Sequence, residues 1–374
     1  MLKFNDLCIE RPLGTLGNDT VLRLLKKSFS DFQYKTIELS IECTVWNSGD
    51  SYIEQNGKFK IFPSPFSLSL SGNFPVKCIS NITELKSIKE FNGILIFTDE
   101  LAKEAFMPKD FPFYFPDEHR EVYKIIEEIN PNGILAVTGK DTSSGLNPFP
   151  LFEDSNMEIP SAFVANINAI DRTKSIYIKI DSGRKKAKSK QLIFRKEGNE
   201  KEIILISAHM DSKYFTNGAL DNASGVFALY ETAKILGNNK YTIEFVPFNG
   251  EESPESSGQL AYLQYLQENN YIIKSVINLD SPGHIGSENA FSFYNYDESA
   301  KAELIKKNNL KEGEQWYSGD HGIFVFQEIP CIAITSSDLF EKSIHLTHTR
   351  KDTPEKIDIK LLKELGNTIN CIVS

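Results

Sequence analysis

The spacing of apolar residues changes twice along the chain. Near the start they fall at Val21, Leu24, Leu25 and Phe29, along one helical face, which predicts a helix from Asn18 to Phe32 and then a strand from Lys35 to Val45. From about residue 50 that spacing fades. Pro and Phe crowd into IFPSPFSLSLSGNFP and MPKDFPFYFPDEH, and short apolar runs such as GILIFTDE and GILAVTG are bounded by turn residues. Only Glu118 to Ile129 reads as a helix there, so 50–166 is expected to be an inserted, smaller β-rich domain. From about 175, SIYIKID, QLIFRK, EIILISAH, TIEFVPFN, KSVINLD and CIAITSS read as strands, with helices at Ala223–Leu236 and Gln259–Glu268 among them. Strands alternating with helices of about 10–15 residues predict an α/β fold, a mixed, mostly parallel sheet sandwiched by helices, built from 1–49 and 167–374.

Composition narrows the partners. The formal net charge of −10 argues against nucleic acid and anionic membranes, because both are bound through Lys and Arg. The local exception, Gly183 to Lys190 (GRKKAKSK), is read as a solvated hairpin or loop. No stretch approaches the roughly 20 apolar residues of a membrane span. No apolar signal core is visible in MLKFNDLCIERP, and the five cysteines are scattered, without metal-site spacing. A reducing, cytoplasmic location is the expectation.

The polar residues that stand out follow strands. His209 ends EIILISAH, Asp221 comes one loop later, Glu251 and Glu252 follow TIEFVPFN, Asp280 ends KSVINLD, and His348 arrives in HLTHTRKDTPEKI. Singly each has an ordinary reading: a satisfied polar histidine, a helix-capping aspartate, solvated glutamates, a turn aspartate. Together they do not, because several carboxylates converging on one end of a sheet repel each other unless a cation sits among them. Mixed His and carboxylate donors suit zinc or a similar transition metal, and five ligands suffice for two ions if one carboxylate bridges.

The motifs H-M-D, A-L-D-N-A-S-G, G-E-E, N-L-D and H-T-R-K-D-T-P, in this order, resemble the zinc-dependent aminopeptidases of peptidase family M28. The inserted region is similar to the protease-associated domain of some members, through NGILIFTDE, NPNGILAVTG and IPSAFV. The resemblance implies two Zn2+ ions, with cobalt or manganese as alternative occupants. It makes Asp221 the bridge, His209 and Asp280 the ligands of one ion, and Glu252 and His348 those of the other. His345, three residues before His348, is a rival for the last position. Glu251 is implied as the general base for hydrolysis of an N-terminal peptide bond by metal-activated water, on a peptide with a free N-terminus. Asp211 is implied to orient His209 through its other ring nitrogen. Asp320-His321 matches a D-H element of the family, and Tyr317 nearby is a candidate to stabilise the oxyanion. Rival readings are a mono-zinc acyltransferase similar to glutaminyl cyclase and a non-catalytic binding module on a peptidase fold. A carboxypeptidase would need a basic group for the substrate carboxylate, and a serine hydrolase would need a G-x-S-x-G elbow, which the chain lacks.

Overall fold

The computed structural model describes residues 1–374 except 110, 141–144, 148, 149, 168, 169, 172 and 173. They divide into two compact units, Met1–Cys43 with Lys188–Ser374, and Thr44–Ala187.

The first unit is built on a seven-stranded sheet: β1 (Lys35–Ser48), β2 (Ser182–Lys196), β3 (Glu200–His209), β4 (Tyr241–Phe248), β5 (Ile273–Leu279), β6 (Asn289–Tyr294) and β7 (Cys331–Ser336). Their order across the sheet is β1-β2-β4-β3-β5-β7-β6. β3 runs parallel to β4 and β5, and β5 to β7, while β2 and β6 are antiparallel to their neighbours β4 and β7. The boundary between the units falls within β1 and β2.

The central strands are apolar almost throughout because both faces are covered. Successive side chains point to opposite faces. Ile204, Ile206 and Ala208 enter one core with Phe245, Ile277, Leu279 and Ile334, whereas Ile203 and Leu205 enter the other with Val246, Phe248 and Val276. Helices α1 (Leu16–Phe29), α2 (Ser224–Ile235) and α5 (Ile359–Val373) contribute to the first core, and α3 (Ser257–Glu268) to the second. From β3 the chain passes to β4 on one side and then crosses to β5 on the other. That reversal opens a crevice at the carboxyl ends of the strands, the usual place for a site in such sheets.

The predicted helices shift by one to three residues at their ends. The first begins earlier because Thr15 caps it, accepting from the Asn18 N–H, and ends at Phe29 in a 3-10 turn. β6, α5 and α4 (Glu298–Asn308) lie in sequence to which no element was assigned. α4 buries none of its residues, so it carries no apolar stripe to read. α5 does carry one, Leu362, Leu365 and Ile369, all buried. The lysine-rich run is strand, lying in β2 beside β1, with Lys188 paired to Glu42 and Lys190 to Glu38.

In the second unit, an antiparallel four-stranded sheet holds Tyr52–Glu54, Lys58–Lys60, Leu70–Phe74 and Ile176–Ile180. A five-stranded sheet pairs Val76–Ile79, Ile94–Phe97, Gly133–Val137 and Ser161–Val164 in parallel, with Phe62–Pro63 antiparallel at the edge. Ile53, Ile176 and Ile178 from one sheet and Ile94, Ile96 and Leu135 from the other share one core.

Phe29 fastens α1 to the sheet. It is fully buried, stacks on Phe194 with centroids 3.9 Å apart, and meets Tyr34 and Tyr230 edge-on. Phe29→Ala should cost about 3–5 kcal/mol, measured as a lowered urea midpoint at unchanged slope.

Candidate metal centre

The candidate residues meet at the crevice through specific local devices. His209 is the last residue of β3, and Asp280 follows β5 directly, its N–H donating to the Ile334 carbonyl of β7 at 2.9 Å. Asp221 sits in the loop before α2. Its neighbour Asn222 accepts at Oδ1 from the N–H groups of Gly225 (3.0 Å) and Ser281 (3.1 Å) and donates to the Leu279 carbonyl (2.8 Å), tying the Asp221 loop to the end of β5. A Cβ at Gly225 would lie 2.3 Å from Asn222 Oδ1 and 2.6 Å from the Leu279 carbonyl, so this close approach requires glycine. Asp352 fixes the same loop from the other side, accepting from the N–H groups of Leu220 (2.6 Å) and Asp221 (3.1 Å).

Asp221 presents one oxygen to each histidine. Its Oδ1 lies 3.0 Å from His209 Nε2 and its Oδ2 3.1 Å from His348 Nε2. Asp280 Oδ1 is 3.7 Å from the first histidine, and Glu252 Oε1 is 3.1 Å from the second. Ligand-type atoms of His209, Asp221 and Asp280 thus lie within 4.8 Å of one another, as do those of Asp221, Glu252 and His348. The donor chemistry fits transition-metal ions, and Glu252 Oε1 is buried facing His348 Nε2, both of them ligand-type atoms. His348 holds a left-handed backbone, φ 59°, and is partly exposed. Strain of this kind gathers at functional positions. His345 is exposed and belongs to neither group; His284 pairs with Asp338 at 3.1 Å, and His119 accepts from the Met107 N–H.

Asp211 does something other than the expected orienting of His209. Its Oδ1 is 3.8 Å from His209 Nδ1, too far for a hydrogen bond, and that ring nitrogen has no hydrogen-bond partner among the described residues. Its carboxylate instead accepts from the backbone N–H groups of Glu251 (3.2 Å) and Glu252 (3.1 Å), fixing the turn that carries both glutamates. Tyr317 is half exposed, with its hydroxyl on Gln315 and its ring against Tyr294 and Phe326; none of these contacts reaches the cluster. Asp320 is buried, accepts from Gln259 Nε2 at 2.7 Å and leaves Oδ2 unpaired, while His321 Nε2 meets the Trp316 carbonyl.

Three holding residues had no role in the sequence reading: Arg11, Lys213 and Asp352. Arg11 is fully buried and donates to the carbonyls of Met210 (2.6 Å), Asn217 (2.7 Å) and Gly218 (2.9 Å), gripping the chain between His209 and Asp221. Nothing about ERP signals this, because backbone carbonyl partners leave no pattern in side chains. Asp352 stands within the quoted H-T-R-K-D-T-P motif, where it could have been singled out.

Burial sets the electrostatics. It pushes Glu251 well above the carboxylate range; His209 opposes this, and Glu252, Asp320 and Asp280 add to it. Asp221 and Glu252 go the other way, because the histidines outweigh burial, with Lys213 assisting at Glu252. Both histidines are carried well above the usual imidazole value; burial works against the charge, but the surrounding carboxylates prevail.

The fold is that of known aminopeptidase structures. The chain superposes on an aminopeptidase from Aneurinibacillus sp. strain AM-1 with a TM-score of 0.73 at 16% identity, over 98% of this chain and 91% of that one. It also superposes on BSAP, a zinc aminopeptidase from Bacillus subtilis, with a TM-score of 0.73 at 16% identity, over 99% and 93%. A peptidase M28 precursor from Shewanella amazonensis SB2B gives 0.66 at 16%, over 99% and 90%. No curated protein matches the chain in sequence. Residues 191–373, the segment that carries all five candidate ligands, match the family model of peptidase family M28.

A pH dependence follows. A histidine whose folded pKa is raised stabilises the fold fully below about 6.5, and that contribution is lost as pH rises through the folded value. Asp320 and Asp352, both pushed up to about 7 chiefly by burial, also cost stability as they ionise. Metal-stripped protein should therefore melt at progressively lower temperature from about pH 5 to about pH 9, and the rise in Tm on adding zinc should grow over the same range as the ion replaces imidazole protons. Thermal melts with chelator and with zinc across that series check it; a zinc increment independent of pH would contradict it.

Proposed function

We propose that the protein is a metal-dependent aminopeptidase that uses two ions, zinc in the first instance, to hydrolyse N-terminal peptide bonds. One observation carries the reading: Asp221 faces a histidine with each oxygen, and each histidine is joined by one further carboxylate, so a single residue links two ligand groups. His209, Asp221 and Asp280 would hold one ion, and Asp221, Glu252 and His348 the other. When bound, the ions supply polarisation of the scissile carbonyl and acidification of a water.

The remaining work falls to the chain. Glu251, fixed beside Glu252 by the shared grip of Asp211 and belonging to neither ligand group, takes the proton from water and delivers it to the leaving amine. Asp211 contributes by keeping the two glutamates in their separate places. All assigned ligands lie in the first unit, so the chemistry belongs to it and not to the second unit (expected at 50–166, compact over Thr44–Ala187).

Metal analysis of the active protein should give close to two ions per chain, and Asp221→Asn should disturb both. One tightly bound ion in a fully active enzyme would contradict this and favour chemistry of the glutaminyl-cyclase kind.

The adjacent glutamates should separate cleanly. Glu251→Gln should keep its metal while kcat falls by on the order of 10²–10⁴, roughly 3–5 kcal/mol of transition-state stabilisation. Glu252→Gln should lose metal along with activity. Measuring kcat beside metal content for both variants decides the roles: loss of zinc from Glu251→Gln with retention in Glu252→Gln would exchange them.

A further inference from the structure

Alternate residues leaving β3 serve the cluster in turn. His209 faces Asp221 and Asp280, Asp211 holds the backbone of both glutamates, and Lys213 reaches Glu252 itself. Lys213 Nζ donates to the Glu252 carbonyl at 2.8 Å and lies 3.4 Å from Oε2, the carboxylate oxygen turned away from His348. The two side chains are only 16% and 5% exposed, so water and salt screen the pair weakly. Glu252 therefore divides its oxygens between an ammonium and a candidate ion position. The other ligand group has no such neighbour: Asp280 Oδ1 accepts from Ser281 Oγ at 3.2 Å, and no Lys or Arg among the described residues pairs with Asp280.

We infer that Lys213 is a built-in counter-ion for Glu252, competing with a bound cation for the same carboxylate, and that it makes the His348 side the weaker and more exchangeable of two ion positions. The inference rests on the two-ion reading. Without an ion, the ammonium compensates a buried carboxylate whose other oxygen faces His348 Nε2 at 3.1 Å. With a divalent cation at Oε1, the same ammonium is a like charge close by and opposes it. Removing the charge should therefore act oppositely on the two states, weakening the ion-free protein and strengthening cation binding. A lysine that merely held Glu252 in place would, on removal, weaken both.

The experiment titrates Zn2+ into the metal-stripped full-length chain against a chromophoric chelator, with thermal melts of the stripped protein alongside. Wild type should show a tight and a weaker ion. Lys213→Met should leave the tight ion unchanged, bind the second at least about tenfold more tightly, and melt lower when stripped. Lys213→Gln, which can still donate to the Glu252 carbonyl, should show the same tightening, and Lys213→Arg should behave as wild type. A second ion bound equally or more weakly in Lys213→Met and Lys213→Gln overturns the inference while leaving the two-ion reading intact. A wild-type chain that takes only one ion overturns both.

Discussion

Asp221 carries two obligations, one for each carboxylate oxygen, and much of the α/β unit is arranged so that it can meet them. Its backbone N–H is held by Asp352, the chain before it by Arg11, and the residue after it by contacts with the end of β5. These restraints come from the N-terminal segment, from the turn after His348 and from the centre of the sheet, distant in sequence and convergent on one loop. In the two-ion reading proposed above, a bridging carboxylate misplaced by an ångström would serve neither side, and these fixed points around one residue suit that task.

The second organising problem is charge. Asp211, Asp221, Glu252 and Asp320 are buried and Glu251 is partly buried beside them, an arrangement that raises its own energy unless cations answer it. Part of the answer is in the chain: two histidines carried toward the charged form, Arg11 buried behind the loop, and Lys213 against Glu252. The rest is what a pair of divalent ions would supply. The same crowding that favours metal also lifts the affinity of Glu251 for protons, so the ligand cluster and the proposed base are consequences of one electrostatic setting.

Adjacent glutamates with different surroundings illustrate how little sequence distance means here. Asp211 accepts from the N–H of each, yet Glu252 turns toward His348 and Lys213 while Glu251 joins neither ligand group. The turn following β4, not the chemical nature of the side chains, separates them.

The sequence by itself determined a good deal. Alternation of apolar strands with helices gave an α/β sheet covered on both faces, and the rule that sites gather at the carboxyl ends of parallel strands drew attention to His209, Asp221, Glu251, Glu252 and Asp280, which the structure brings together with His348. Such signals are legible because they are local: a strand reads from its own residues, and a motif from a few positions. What only the tertiary structure decided is whatever depends on partners far along the chain or on the backbone. Asp211 turned to the glutamate turn instead of to the imidazole, and Arg11 gripped carbonyls some 200 positions away. Lys213, an ordinary residue after H-M-D-S, became a neighbour of Glu252 only because β3 and β4 lie side by side. Backbone hydrogen bonds and long-range ion pairs leave no periodicity in a sequence, because one partner is the same peptide group in every residue and the other is chosen by the fold.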